Sequence, residues 1–282
     1  MHTILVPVDF SITSLNAARY AVRMSRQLKA QKLILFHTYG GSYQILDQGA
    51  EVVYETTKVL LENMKEDLNA LQHELNQIAP ADLEIDKIIS DGFLMEEVLA
   101  LIPKENIGLI VMGITGKNTI EQKLIGSNTY RLASESPVPV LIVPSKADFT
   151  SVSNVALSLK FKAGMMEQTP YQEIKHILRE LGAKLTILNV ADEDYKTQPT
   201  EIQSGVTASH RMFDDIEAHI VYLGNENVVS SIIHYVSDNN IQLLIAVTHK
   251  HGFLQSLFKG SVTKQLAFHT DVPLMVFRAH ED

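Results

Sequence analysis

A chain of 282 residues, 45% hydrophobic and 20% charged, is long enough for one large domain or two ordinary ones, and its composition excludes disordered and collagen-like classes. A net charge of -9 denies it the positive field that non-specific nucleic-acid binding needs, and no apolar run approaches the roughly 18 residues of a membrane span. It has no cysteine, which excludes disulfides and thiolate chemistry, and its start, MHTILVPVDF, has neither a basic region nor a small-residue cleavage site; the expected compartment is the cytoplasm.

Residues 3–8, TILVPV, form an apolar, β-branched run too short for a helix, which predicts a buried parallel strand. Leu15, Ala18, Val22 and Leu28 then share one helical face behind Ser11 or Thr13 as N-cap. KLILFHT (32–38) reads as the second strand and the Glu-, Lys- and Leu-rich stretch 50–77 as a long helix. IDKIIS (85–90), EEVLALI, GLIVMG (108–113), NTYRLASES and VPVLIVP (138–144) continue the alternation of strand and helix. Such βαβ alternation implies a parallel sheet with helices on both faces.

The pattern then begins again. VALSLKF (155–161) overlays ILVPVDF (4–10), KLTILNV (184–190) overlays KLILFHT, and QLLIAV (242–247) overlays GLIVMG. GSVTKQLAFHTDVPLMVF (260–277) matches GSNTYRLASESPVPVLIV (126–143) without a gap, and the second copy is shorter mainly where the first has its long second helix. Two homologous α/β domains, 1–146 and 152–282, are therefore expected, meeting at a short polar linker. Each ends in an apolar strand with no later neighbour in its own half, so the two last strands, with Val140 and Val276, are expected to pair.

After the fourth strand the first copy reads MGITGKNTIEQKLIGSNT. Gly113 at a strand end lets a ligand approach the backbone, and Gly116 permits the turn that follows. Gly126 and Ser127 open a helix, where free N–H groups and the positive end of the dipole favour a phosphate, with Ser127 and Thr129 adding hydroxyls. Asp9, at the end of the first strand, faces the same crevice as an acceptor for a ribose or base, or serves only as a turn and helix-start residue. Lys117 either reaches phosphate or is a solvated loop lysine; Met112 reads first as core, and His37 as a packed, hydrogen-bonded histidine.

These residues resemble the universal stress protein family in its tandem form. The family's pattern G-x2-G-x9-G-[ST] is met by Gly113, Gly116, Gly126 and Ser127, and VPVDFS (6–11) is similar to its first-strand signature. The resemblance implies two doubly wound domains, each with a five-stranded parallel sheet in the order 3-2-1-4-5, and ATP, with or without Mg2+, at the carboxyl ends of strands one and four. Carried over position by position, Pro7, Val8 and Asp9 would flank adenine and ribose, Thr38 would lie by the base, Met112 and Gly113 would follow the ribose, and Gly116, Gly126, Ser127, Asn128 and Thr129 would hold the phosphates. Thr38 departs from the family's usual apolar residue.

In the second copy Asp9 becomes Lys160, Gly113 becomes Val247 and Gly116 becomes Lys250, while Gly260 and Ser261 remain. A β-branched side chain and a reversed charge at those positions predict a pocket closed to nucleotide. His249 and His251 in the matching loop are a pair without a third metal ligand. The leading expectation is a stress-response binding module, read by an as yet unidentified protein partner and interacting with neither nucleic acid nor membrane. It would be a pseudo-dimer within the chain, with further pairing into a homodimer left open. The alternatives are a slow ATPase or nucleotidyl-transfer enzyme using the same pocket, and an interaction protein that binds no nucleotide. Only Glu121 in the loop offers itself as a base or metal-holding carboxylate, with nothing in the sequence to fix its position, and the P-loop pattern is missing.

Overall fold

The structure, a computed structural model, describes residues 2–40, 50–114, 127–161, 164–190, 199–223, 228–248 and 272–280. In the first half, strands β1 (Thr3–Pro7), β2 (Lys32–Thr38), β3 (Glu84–Ser90), β4 (Ile107–Ile114) and β5 (Val140–Pro144) alternate with helices α1 (Ile12–Ser25), α2 (Ala50–Asn76), α3 (Leu94–Lys104) and α4 (Ser127–Glu135). The second half contains β6 (Asn154–Leu159), α5 (Met165–Gln168), α6 (Tyr171–Leu181), β7 (Lys184–Val190), α7 (Pro199–Met212), β8 (Ala218–Leu223), α8 (Val228–Asp238), β9 (Leu243–Thr248) and β10 (Leu274–Arg278).

All ten strands join one sheet in the order β3-β2-β1-β4-β5-β10-β9-β6-β7-β8. Each half therefore has the expected 3-2-1-4-5 order with parallel neighbours. The last strands do pair, antiparallel, with Val276 opposite Val140 and Leu274 opposite Ile142. An edge that would otherwise offer unpaired N–H and C=O groups is thus covered by its counterpart.

The side-chain period of two divides the core between the faces. Ile4, Val6 and Val8 of the β1 segment, with Leu33 and Leu35, face α1 and α2, and this layer runs on into the second half through Leu157, Ile174 and Ile187. Leu5, Ile34 and Phe36 face the other way, toward Val98 and Leu101 of α3, Leu132 of α4 and Ile232 of α8. Because both faces are covered, β1 and β9 are buried at every position, which explains why their sequences are continuous apolar runs without alternation.

The junction is held by side chains as well as by strands. Asn16 of α1 donates to the carbonyls of Pro144 and Ala147, both at 3.1 Å. Gln27, just past α1, donates to the carbonyls of Val152 (2.6 Å) and Leu181 (2.8 Å) and accepts from the Val152 N–H (3.0 Å). Phe149 sets its ring edge-on to Tyr20 with centroids 5.3 Å apart.

Candidate functional site

The strand order reverses direction between β1 and β4, and in an open α/β sheet the crevice at such a switch point, outside the carboxyl ends of the strands, is where ligands bind. The chain leaves β1 through Pro7 and Val8, both buried, and surfaces at Asp9. The Val8 N–H continues the ladder by donating to the Phe36 carbonyl at 2.8 Å. The Val8 carbonyl accepts from His37 Nδ1 at 2.7 Å. A carbonyl only accepts, so Nδ1 carries a proton. His37 is thereby pinned beside the start of the crevice, with the Phe10 ring against it at 5.0 Å. Phe10 itself adopts a left-handed backbone, φ 60°, a conformation that non-glycine residues rarely take.

Asp9 anchors a hydroxyl cluster at the head of α1. Its Oδ1 accepts from the Ser11 N–H (3.0 Å) and the Ser11 hydroxyl (2.5 Å), and its N–H donates to Ser14 Oγ (3.3 Å). Ser11 in turn caps α1, accepting from the Ser14 N–H, and lies 3.0 Å from Thr13 Oγ1. Burial acts to raise the Asp9 pKa, but the hydrogen bonds from Ser11 and Ser14 outweigh it and hold the carboxyl below its usual range. The group is an exposed, ionised acceptor near neutral pH. The turn role and the acceptor role that the sequence left open are compatible.

On the far side of the switch, Met112 is 7% exposed and packs in the face opposite α1. Gly113 pairs with Val143 of β5. A Cβ on Gly113 would lie 2.2 Å from the Thr13 carbonyl oxygen and 3.0 Å from the Ser14 nitrogen. The close approach that calls for glycine here is therefore made by the first turn of α1. Thr38 ends β2 opposite Ser90 and is half-buried. Ser127 begins α4, Asn128 is exposed, and Thr129 is buried against the core at 6% exposure. Gly116, Lys117, Glu121 and Gly126 lie outside the described residues. The structure thus gathers Val8, Asp9, His37 and Gly113 around the carboxyl ends of β1, β2 and β4. The sequence did not announce Ser14 or the left-handed Phe10; the D-F-S-I-T-S run, with hydroxyls spaced to fold back on Asp9, was the available signal for the former.

The second half treats the matching ground differently. Lys160 stands exposed where Asp9 does, and Asn189 replaces His37, its Oδ1 accepting from the Phe161 N–H at 3.2 Å. Phe161, the counterpart of half-exposed Phe10, is wholly buried. Its ring fills the space at Gly205 of α7, where a Cβ would meet Phe161 Cγ at 2.3 Å. Val247, 8% exposed, pairs with Phe277. His249, Lys250, His251, Gly260 and Ser261 lie outside the described residues.

Comparison with known proteins bears on this arrangement. A profile of the universal stress protein family matches residues 1–144 and 168–278. Over 241 residues, 85% of this chain and 80% of the relative, the sequence is 25% identical to universal stress protein Slr1230 of Synechocystis sp.. It is 28% identical over 157 residues to universal stress protein MJ0577 of Methanocaldococcus jannaschii, covering 51% of this chain and 94% of that one. The crystal structure of a universal stress protein from Archaeoglobus fulgidus aligns over 98% of both chains with a TM-score of 0.68 at 17% identity, a likeness of fold.

Proposed function

The chain belongs to the universal stress protein family, and from that premise we propose that it is a regulatory module whose first half, residues 1–146, binds ATP, with or without Mg2+, while the second, residues 152–282, does not. What supports the reading is an ionised, exposed Asp9 at the carboxyl end of β1, beside the switch point, together with the glycine spacing that leads to Ser127 at the amino terminus of α4. Asp9 Oδ1 is committed to Ser11, and the carboxylate offers its remaining acceptor capacity to a ribose hydroxyl. Pro7 and Val8 form the floor beneath the base, with Thr38 beside it and Met112 and Gly113 along the sugar. Gly116, Lys117, Gly126, Ser127, Asn128 and Thr129 belong to the phosphate end, Thr129 from within the wall.

Binding is favoured over turnover by the chemistry of this set. It supplies donors for ground-state phosphate recognition and one carboxylate held as a weak base. A positioned general base needs a pKa nearer the working pH. The nucleotide therefore acts as a state that a protein partner reads. The test is titration calorimetry of ATP against the full chain and against Gly126→Val, in which a β-branched side chain occupies the phosphate approach. The reading expects at least a tenfold loss of affinity, a difference of about 1.4 kcal/mol; equal affinity would refute the assignment.

A further inference from the structure

The two halves repeat one fold, and a seat that is filled on the first is open on the second. The turn after α1 contains left-handed Lys29, and α6 is closed by left-handed Gly182, which sets the register of the two helices. The buried positions agree with it: Ala21, Val22, Met24 and Leu28 match Ile174, Lys175, Ile177 and Leu181. In this register Tyr20 corresponds to Glu173 and Ala17 to Pro170.

On the first half, the segment that follows β5 runs back over α1. Asn16 holds the Ala147 carbonyl at 3.1 Å, and Phe149 sets its ring on Tyr20. Under this cover Tyr20 is only 3% exposed. On the second half, the Ala279 N–H donates to the Thr248 carbonyl (2.7 Å) and the His280 N–H to the Gln168 carbonyl (3.0 Å). Glu173, the counterpart of Tyr20, stays exposed, and a groove of about 300 Å3 opens beside it. The walls are Pro137, Val138 and Pro139 ahead of β5, with Pro170, Phe277 and Ala279. Glu173, Arg278 and His280 complete the lining, and no described residue fills the groove.

We propose that this groove docks an extended segment of a partner protein, one that carries an aromatic residue and, within three positions of it, a lysine or arginine. The first half shows what the seat accepts: an extended stretch of chain with an aromatic ring laid on the helix at this position. The three prolines are stiff and apolar, so an aromatic side chain gains burial there without ordering its walls. The charge follows from the exchange of Tyr20 for Glu173. Glu173 meets only His280 among the described side chains, at 3.7 Å with both 54% exposed, which leaves its carboxylate able to accept from an incoming cation. Arg278 is engaged with the Glu135 carbonyl at 3.3 Å. Residues 146–150, KADFT, hold a lysine and a phenylalanine at such a spacing. The groove lies at the amino end of β5 and the carboxyl end of β10, on the opposite edge of the sheet from the first crevice, so the proposal does not rest on nucleotide binding.

The test titrates the full, nucleotide-free chain with the capped peptide KADFT and reads 15N-resolved chemical shifts. Saturable binding is expected in the millimolar range, with shifts centred on Val138, Ala279 and His280. The peptide KADAT should bind at least tenfold more weakly, as loss of a buried aromatic side chain implies. Glu173→Lys, an exposed substitution, should weaken KADFT about threefold and leave AADFT, which lacks the lysine, unchanged or tighter. Shifts centred elsewhere, no saturation by 10 mM peptide, or equal affinity for KADFT and KADAT would overturn the proposal. Sedimentation revealing a dimer that excludes the peptide would give the groove to a second copy of this chain and overturn it equally.

Discussion

Gly113 shows how a residue can belong to a motif and be required for another reason. Its Cβ position is occupied by the backbone of Thr13, so Gly113→Ala must push α1 off the sheet. We expect a loss of about 1–3 kcal/mol, the usual cost of forcing an extra methyl into a packed site. Urea unfolding with an unchanged slope and a lower midpoint would register it. Asp9 makes a different kind of contribution. Because its folded-state pKa lies below its unfolded one, the stability it adds is present above the unfolded pKa and is lost as pH falls through the folded value. Asp9→Asn should therefore be less stable than the parent at pH 7, and the gap should close on acidification below pH 4. Thermal denaturation of both proteins across that range checks the sign; a gap that widened in acid would contradict the assignment of Asp9 as an ionised acceptor.

At the scale of elements, α2 and α7 set the two halves apart. Leu75 is fully buried beneath α2, and Leu75→Ala should cost about 2–5 kcal/mol by chemical denaturation, whereas 53%-exposed Val59 on the same helix should tolerate alanine within about 0.5 kcal/mol. The sequence made β2 and β7 legible to the residue, because KLILFHT and KLTILNV each open on Lys-Leu and carry a mostly apolar centre of strand-forming residues at the same place in the repeat. It did not mark off β8, a half-exposed strand whose continuous apolar run is only the four residues IVYL, or the four-residue α5. In the site, the spacing of the glycines and the position of Asp9 were readable, because spacing is local. The reason for Gly113, the burial of Thr129 and the inward turn of Phe161 were not, since each depends on an element distant in the chain that packs against the residue.

Over the whole molecule, the antiparallel pairing of β5 with β10 fixes what the halves can do together. Within each half the strands run parallel, so their carboxyl ends, and the crevices outside them, open on opposite edges of the ten-stranded sheet. Gln27 ties the halves with three hydrogen bonds and Asn16 holds the connection between them, which leaves the first crevice to be completed from its own half. The second crevice presents Lys160 and Val247 in place of Asp9 and Gly113 and has Phe161 packed beneath it. On the proposed reading, one nucleotide per chain is expected. Native mass spectrometry of the full chain titrated with ATP measures this directly. The account predicts a single saturating adduct that Gly126→Val removes; two adducts per chain, or one that survives that substitution, would contradict it.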